Sequence, residues 1–309
     1  MGLYDRDYYR EKRGGFASLS GVSVNTWIII VNVAIFAFMA MSPRFAMFAV
    51  EHGHFSTYEV LWHRNPNGTA GGLEFWRFLT FQFLHAGPMH LAFNMFGLYI
   101  FGGMVEEHLG RKKYLAFYLT CGIFGGLMYL LLNLAGNVLG HMGVSGVPGL
   151  LFSDPRTPLV GASAGVFGVI MACAYIAPTL QVLAFFVFPM RLKTMAYLYV
   201  GMALVSLLMG ARNAGGEAAH LGGAIAGAFF VRNSHLLRDF FDVLKDSRKV
   251  RHANTPQRAR GPVSGAERDP HEAEVDRILA KVHREGIHSL TEAEKATLAR
   301  DTESKRFGR

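Results

Sequence analysis

The chain has 309 residues, 51% apolar and 17% charged, with a formal net charge of +8. Residues 22–231 carry 17 charges in 210 positions, about 8% against the roughly 25% of a soluble domain, whereas residues 232–309 carry 17 Lys/Arg and 13 Asp/Glu. A single soluble domain and a disordered chain are both excluded, which leaves a polytopic membrane protein with a charged tail.

In chain order, residues 1–21 form an N-terminal segment of mixed charge, unlike a transit peptide. The first apolar run, Thr26–Met41, lacks a small-residue cleavage pattern and is expected to stay as an anchor. Further runs that span a bilayer, or nearly so, are Met89–Val105, Tyr114–Leu132, Leu159–Ala177, Thr194–Gly210 and the short Ala218–Val231. Leu180–Met190 is apolar but bracketed by Pro178 and Pro189, and reads as an interfacial or re-entering connection. The fold class expected is an all-α bundle of six transmembrane helices over residues 22–232. A cytoplasmic linker (233–270) and a small helical tail (271–309) follow. In that tail Glu272–Glu285 has helical spacing with Gly286 as its cap, and Ser289-Leu-Thr-Glu292 reads as a capping box. Cys121 and Cys173 lie in apolar stretches and read as packing residues rather than a disulfide or metal pair.

With the N-terminus in the cytoplasm and six crossings, 26 of the 31 Lys/Arg fall on the cytoplasmic side, and the outer side is neutral. The basic balance therefore reads as membrane orientation rather than nucleic-acid binding, with both termini cytoplasmic and the cell (inner) membrane as location.

Polar side chains inside spanning segments are site candidates, because an unsatisfied polar group in lipid costs several kcal/mol. His90 and Asn94 lie in the first turns of segment two, Ser163 in the first turn of segment four and His220 near the start of segment six. All three segments run inward under this topology, so the four groups share one depth in the outer third of the membrane. Ser163 lies in Gly161-Ala-Ser-Ala-Gly165, where small neighbours let a substrate backbone approach the hydroxyl. His220 suits a general base, and His90 with Asn94 at i and i+4 could donate to an oxyanion. No acid lies within segments four or six, so a Ser-His dyad fits better than a triad, with Glu217 expected to be solvated in the outer loop. Taken singly, a serine among glycines is usually a packing residue and a lone histidine can bond a carbonyl or relay protons. Their matching depth is what points to a site.

Four motifs make the chain resemble the rhomboid intramembrane serine proteases. They are Trp76-Arg77 in the first outer loop, His85 to His90 to Asn94 in the second helix, Gly161-Ala162-Ser163-Ala164, and Ala219-His220 followed by Gly223 and Gly227. The resemblance implies a six-helix core with Ser163 as nucleophile, His220 as general base, and His90, Asn94 and the Ser163 N–H as oxyanion hole. It implies a gate made by segment five and the loop around Gly210–Gly216, and a structural loop from Met41 to Trp76. Ala164 replaces a frequent glycine. Phe167 stands where a ring, commonly tyrosine, packs on the histidine in relatives.

An endopeptidase acting on transmembrane substrate proteins near the outer membrane face, without cofactor or metal, is the function this implies. The alternatives are a non-catalytic rhomboid-like protein that binds membrane helices, and a transporter relaying protons through His85, His90 and His220. The transporter would predict inverted repeats and midplane acids, which the sequence lacks. His52, His54 and His63 read as solvated loop residues rather than metal ligands.

Overall fold

The computed structural model describes residues 21–62, 73–184, 187–238, 240–241 and 270–307, which fall into two compact units, one within residues 1–246 and one within 247–309. The N-terminal segment, His63 and most of the expected linker lie outside the described residues. The chain is mostly helical. In the larger unit the helices are α1 Val24–Met41, α2 Pro43–Gly53, α3 Thr57–Leu61, α4 Arg77–Thr80, α5 Pro88–Leu109, α6 Arg111–His141 and α7 Ser163–Ile176, then α8 Leu192–Leu208 and α9 Ala214–Arg232.

Two expectations change here. Between α7 and α8 the chain forms strands β1 Gln181–Ala184 and β2 Phe188–Arg191, paired antiparallel with Gln181 opposite Arg191, so the unit is not purely helical. Helix α6 runs nine residues past Leu132, into the stretch expected to be an open connection. Asn133 is polar but wholly buried, and its Nδ2 donates to the carbonyls of Leu151 and Ser153. A polar residue that ends an apolar run can thus continue the helix by finding its partners in the loop it packs on.

The unit is apolar in its core and on much of its surface, with a small set of polar groups buried inside. Trp27, Ile30 and Phe38 of α1, Tyr99 of α5 and Met202 and Val205 of α8 are exposed, while Asn25, Asn32, Glu106 and Asn94 are buried. Among the described residues, α1 and α6 are long and apolar enough to cross a membrane, and α7 and α8 are apolar but have 14 and 17 residues. The buried Glu106 carboxylate accepts from the backbone N–H groups of Val24 and Asn25, both at 2.8 Å, and so caps α1 at its positive end. The Asn25 side chain donates to Leu98 O and accepts from Tyr114 Oη. It fills the space over Gly102, where a Cβ would lie 2.0 Å from its oxygen.

Helix α9 lies between α6 and α7 with backbones almost touching. A Cβ on Gly223 would lie 2.0 Å from Ala164 O, one on Gly227 2.4 Å from Gly168 O, and one on Gly222 2.4 Å from Phe124 O. Small residues gain dispersion contact by letting helices approach, which is how helices associate where no water drives them together.

The smaller unit has helices α10 Pro270–Glu285 and α11 Glu292–Phe307 joined by a 3₁₀ turn at Ile287–Ser289. Gly286, with φ 81°, ends α10. The capping box is formed by Thr291 and Glu294, two residues later than expected: Thr291 N donates to Glu294 Oε2 at 2.9 Å and Glu294 N to Thr291 Oγ1 at 3.3 Å. Ser289 instead donates its hydroxyl to Gly286 O. Both Ser289–Glu292 and Thr291–Glu294 fit the same pattern; burial of Leu290 just ahead of Thr291 goes with the later one.

Candidate active site

Three helix starts build the site. Pro88 opens α5, where its missing N–H costs nothing, and sets His90 and Asn94 in the first two turns. Ser163 is the first residue of α7, and His220 follows in the second turn of α9. The chain entering α7 is held from outside. Phe55 and Leu159 exchange backbone hydrogen bonds of 3.0 and 2.7 Å, and Gly161 N donates to Phe81 O at 2.9 Å.

That brace depends on Arg77. Its buried guanidinium donates to Glu51 O at 2.8 Å and His54 O at 2.7 Å and pairs with Glu74, while Trp76 Nε1 donates to His52 O at 3.1 Å. Trp76 and Arg77 therefore order the α2–α4 region and do not line the reactive cavity.

At the centre, Ser163 Oγ lies 2.9 Å from His220 Nε2. Nδ1 of the same ring lies 3.0 Å from Glu217 Oε2. A carboxylate only accepts, so Nδ1 carries a proton, and in the neutral ring this leaves Nε2 to accept from the serine hydroxyl. Phe167 stacks on the His220 ring with centroids 4.3 Å apart and planes 6° apart. The ring is thereby held on one face and at both nitrogens.

Gly161 has φ 134°, a conformation open to glycine, and a Cβ there would lie 2.7 Å from His90 Cε1 and 3.6 Å from Ser163 Oγ. The absent side chain is what lets the His90 ring edge come beside the serine. Asn94 donates from Nδ2 to His90 O at 2.9 Å, which uses one of its two N–H groups within the helix. His85 is buried and packs its ring edge-on to His90, with centroids 5.1 Å apart. Ala162 is buried at the α7 N-cap position. Gly223 and Gly227 set the spacing of α9 from α7, and with it the Ser163–His220 distance. His90, Asn94, Ser163, Phe167 and His220 share a cavity of about 1090 Å³.

Glu217 corrects the sequence reading. It is not a solvated loop residue: α9 begins at Ala214, four residues before the apolar run, so Glu217 sits in its first turn with its side chain 18% exposed and bonded to His220. The signal was present as an acid three residues before a histidine at a helix start, a spacing that puts both on one face. Among the described residues, no group of three or more His, Cys, Asp or Glu is placed to hold a metal ion.

Residues 72–233, about half of the chain, match the family model of the rhomboid domain, and residues 265–304 match that of a family of unknown function (DUF6576). Rhomboid protease AarA of Providencia stuartii is 25% identical over 219 residues, which cover 68% of this chain and 72% of that protein. Rhomboid protease GluP of Bacillus subtilis is 30% identical over 157 residues, 50% of this chain and 25% of the relative. RHOMBOID-like protein 12, mitochondrial, of Arabidopsis thaliana is 28% identical over 151 residues, 48% and 44% of the two chains. The chain thus matches less than half the length of these last two relatives. With its rhomboid domain at residues 72–233, the chain belongs to the rhomboid family of integral membrane proteins, which includes intramembrane serine proteases.

Proposed function

We propose that the chain is an intramembrane serine endopeptidase that cleaves transmembrane proteins near the outer membrane face. The observation that carries this reading is the 2.9 Å contact of Ser163 Oγ with His220 Nε2, in a ring whose other nitrogen lies 3.0 Å from the Glu217 carboxylate. Ser163 Oγ attacks the scissile carbonyl carbon as its proton passes to His220 Nε2. His90, the second N–H of Asn94 and the Ser163 backbone N–H receive the developing oxyanion, each such donor being worth about 2.7–4 kcal/mol in a water-poor site. Collapse breaks the C–N bond, and His220 protonates the departing nitrogen. A water that gives its proton to His220 then attacks the acyl-serine ester, and the proton returns to Ser163 Oγ.

In the same reading α1 and α5 to α9 are six spans, both termini are cytoplasmic, and the cell (inner) membrane is the location. Residues 22–232 form the membrane domain, 233–270 the linker and 271–309 a cytoplasmic helical tail. The 14 residues of α7 rise about 21 Å, less than a hydrocarbon core of about 30 Å, so a crossing through α7 leaves Ser163 below the membrane surface. Phe93 and Ile100 of α5 and Met195 and Tyr199 of α8 line the cavity, which suits sideways access for a substrate helix with α8 and the Gly210–Gly216 turn as gate.

The test is cleavage of a single-span substrate by the full chain in liposomes. Wild type yields product, and Ser163→Ala and His220→Ala yield less than about one-thousandth as much. Equal product from all three overturns the reading. Failure of wild type both to cut and to label at Ser163 with a fluorophosphonate overturns the protease reading in favour of the non-catalytic alternative.

A further inference from the structure

We propose that Glu217 is a positioning residue for His220, added to the Ser163–His220 dyad of this chain; the inference rests on the protease reading above. One imidazole bridges the nucleophile and a carboxylate, with 2.9 Å on the serine side and 3.0 Å on the acid side. Both Glu217 and His220 sit on the rigid first turns of α9, three residues apart, so the contact is set by helix geometry and not by a loop. The turn itself is anchored: Tyr129 donates to Thr157 O at 2.9 Å and packs over Gly215, where a Cβ would lie 2.7 Å from its ring.

An exposed acid–histidine pair three residues apart contributes little to a helix. Here both side chains are mostly covered, at 18% and 16% exposure, and the histidine's other nitrogen is already committed to the serine. The carboxylate does two things in that position. It selects the tautomer with the proton on Nδ1, which leaves Nε2 to accept the serine proton. It also lies 3.0 Å from the imidazolium formed when that proton arrives, and it keeps its own charge throughout, since no proton passes to it. Phe167 supplies only a flat face to the ring and does neither.

His220 faces Ser163 and Phe167 from α7, His90 from α5 across the cavity, and Glu217 from its own helix, with Arg212 on the same cavity wall. The carboxylate at Nδ1 belongs to the charge set around this ring, so its removal changes the pH profile of kcat/KM as well as lowering its plateau. His90 and Arg212 are present in every variant, and a shift on changing Glu217 alone reports Glu217.

The experiment compares full-length wild type, E217Q, S163A and H220A in liposomes by cleavage of a single-span substrate and by the rate of fluorophosphonate labelling. In labelling, Ser163 Oγ bonds to phosphorus, fluoride leaves and the serine proton goes to His220, so no natural substrate is needed. Because Glu217 is partly open to solvent, E217Q is expected to lose about 10- to 100-fold in kcat and labelling rate, less than the about 10⁴ of a fully buried acid. KM and the thermal midpoint stay at the wild-type value, and the pH profile of kcat/KM differs from that of wild type. Unchanged rate and pH profile in E217Q, with S163A inactive, overturn the positioning role and leave the protease reading standing. A loss of rate that follows a lower thermal midpoint with an unchanged pH profile makes Glu217 structural and also overturns it. An active S163A overturns both.

Discussion

The two compact units solve the problem of holding helices together in opposite ways. In residues 21–241 apolar side chains of α1, α5 and α8 face outward while others form the core, and α7 and α9 meet backbone against backbone, with Gly223 and Gly227 of α9 lying on Ala164 and Gly168 of α7. In residues 270–307 Val275, Ile278 and Leu290 are buried and the charges lie outside, where Lys281 and Glu294 pair at 3.0 Å and Arg277 and Glu274 at 2.8 Å. Lipid gives no hydrophobic push between helices, so the first unit relies on close packing and on buried polar contacts such as those of Asn25 and Glu106; water gives that push, so the second places its polar groups in caps and ion pairs. Function follows the same division. Ser163, His220 and His90 meet where helices approach most closely, and the helical pair carries charged side chains paired along its surface.

If close backbone contact is what holds α7 and α9 in register, a single side chain there breaks the larger unit. Gly223→Val puts a Cβ 2.0 Å from Ala164 O, a backbone atom that cannot swing aside, one residue from Ser163. The expected cost is at the upper end of the about 1–3 kcal/mol typical of overpacking. Cleavage should fall by at least about 100-fold, because a displacement near 1 Å between nucleophile and base is enough for that. A thermal melt in detergent and the liposome assay read the two effects, and a variant with wild-type melting and activity would refute the close-contact account. Next in size is Glu106→Gln, which removes the anion from two backbone N–H groups at the start of α1. A loss of about 2 kcal/mol is expected, as for a partly buried charge at a helix end. Ser163 is on another helix, so kcat at a temperature below the melt should hold, and a lower kcat there would show that α1 also sets the site.

The sequence itself points to the grouping of residues better than to the boundaries. His90, Asn94, Ser163 and His220 were legible because a polar group in an apolar run stands out, and the structure brings the four to one cavity. Glu217 was hidden by that same criterion: hydropathy starts the last segment at Ala218, just past the acid, whereas the helix starts at Ala214. Asn133 cut α6 short for the same reason, although its side chain is bonded to the Leu151 and Ser153 carbonyls. The β1–β2 ribbon lies on an apolar stretch with no clear alternation, and its pairing of Val182 with Met190 depends on partners that no local pattern reveals. Trp76 and Arg77 were found as a motif, yet only the structure assigns them to bracing the α2–α4 region, since the carbonyls of Glu51 and His54 that Arg77 holds carry no signal in side-chain identity.

The smallest effect expected is on the smaller unit, and it turns on pH. The Thr291 backbone N–H, followed by the Lys281 ammonium, holds the Glu294 carboxyl down at about 2. An acid whose folded value lies below its ordinary 4.5 stabilises the fold fully above 4.5 and loses that contribution as pH falls through the folded value. Glu294→Gln removes the charge at every pH. Hydrogen exchange of full-length wild type and E294Q, compared at the same pH so that intrinsic rates cancel, should therefore show residues 286–300 better protected in wild type near pH 6. That difference should narrow below pH 4.5 and close near pH 2. A difference that persists unchanged at pH 2 would mean that Glu294 acts through packing, and the smaller unit would then resemble the larger one more closely than its surface charges suggest.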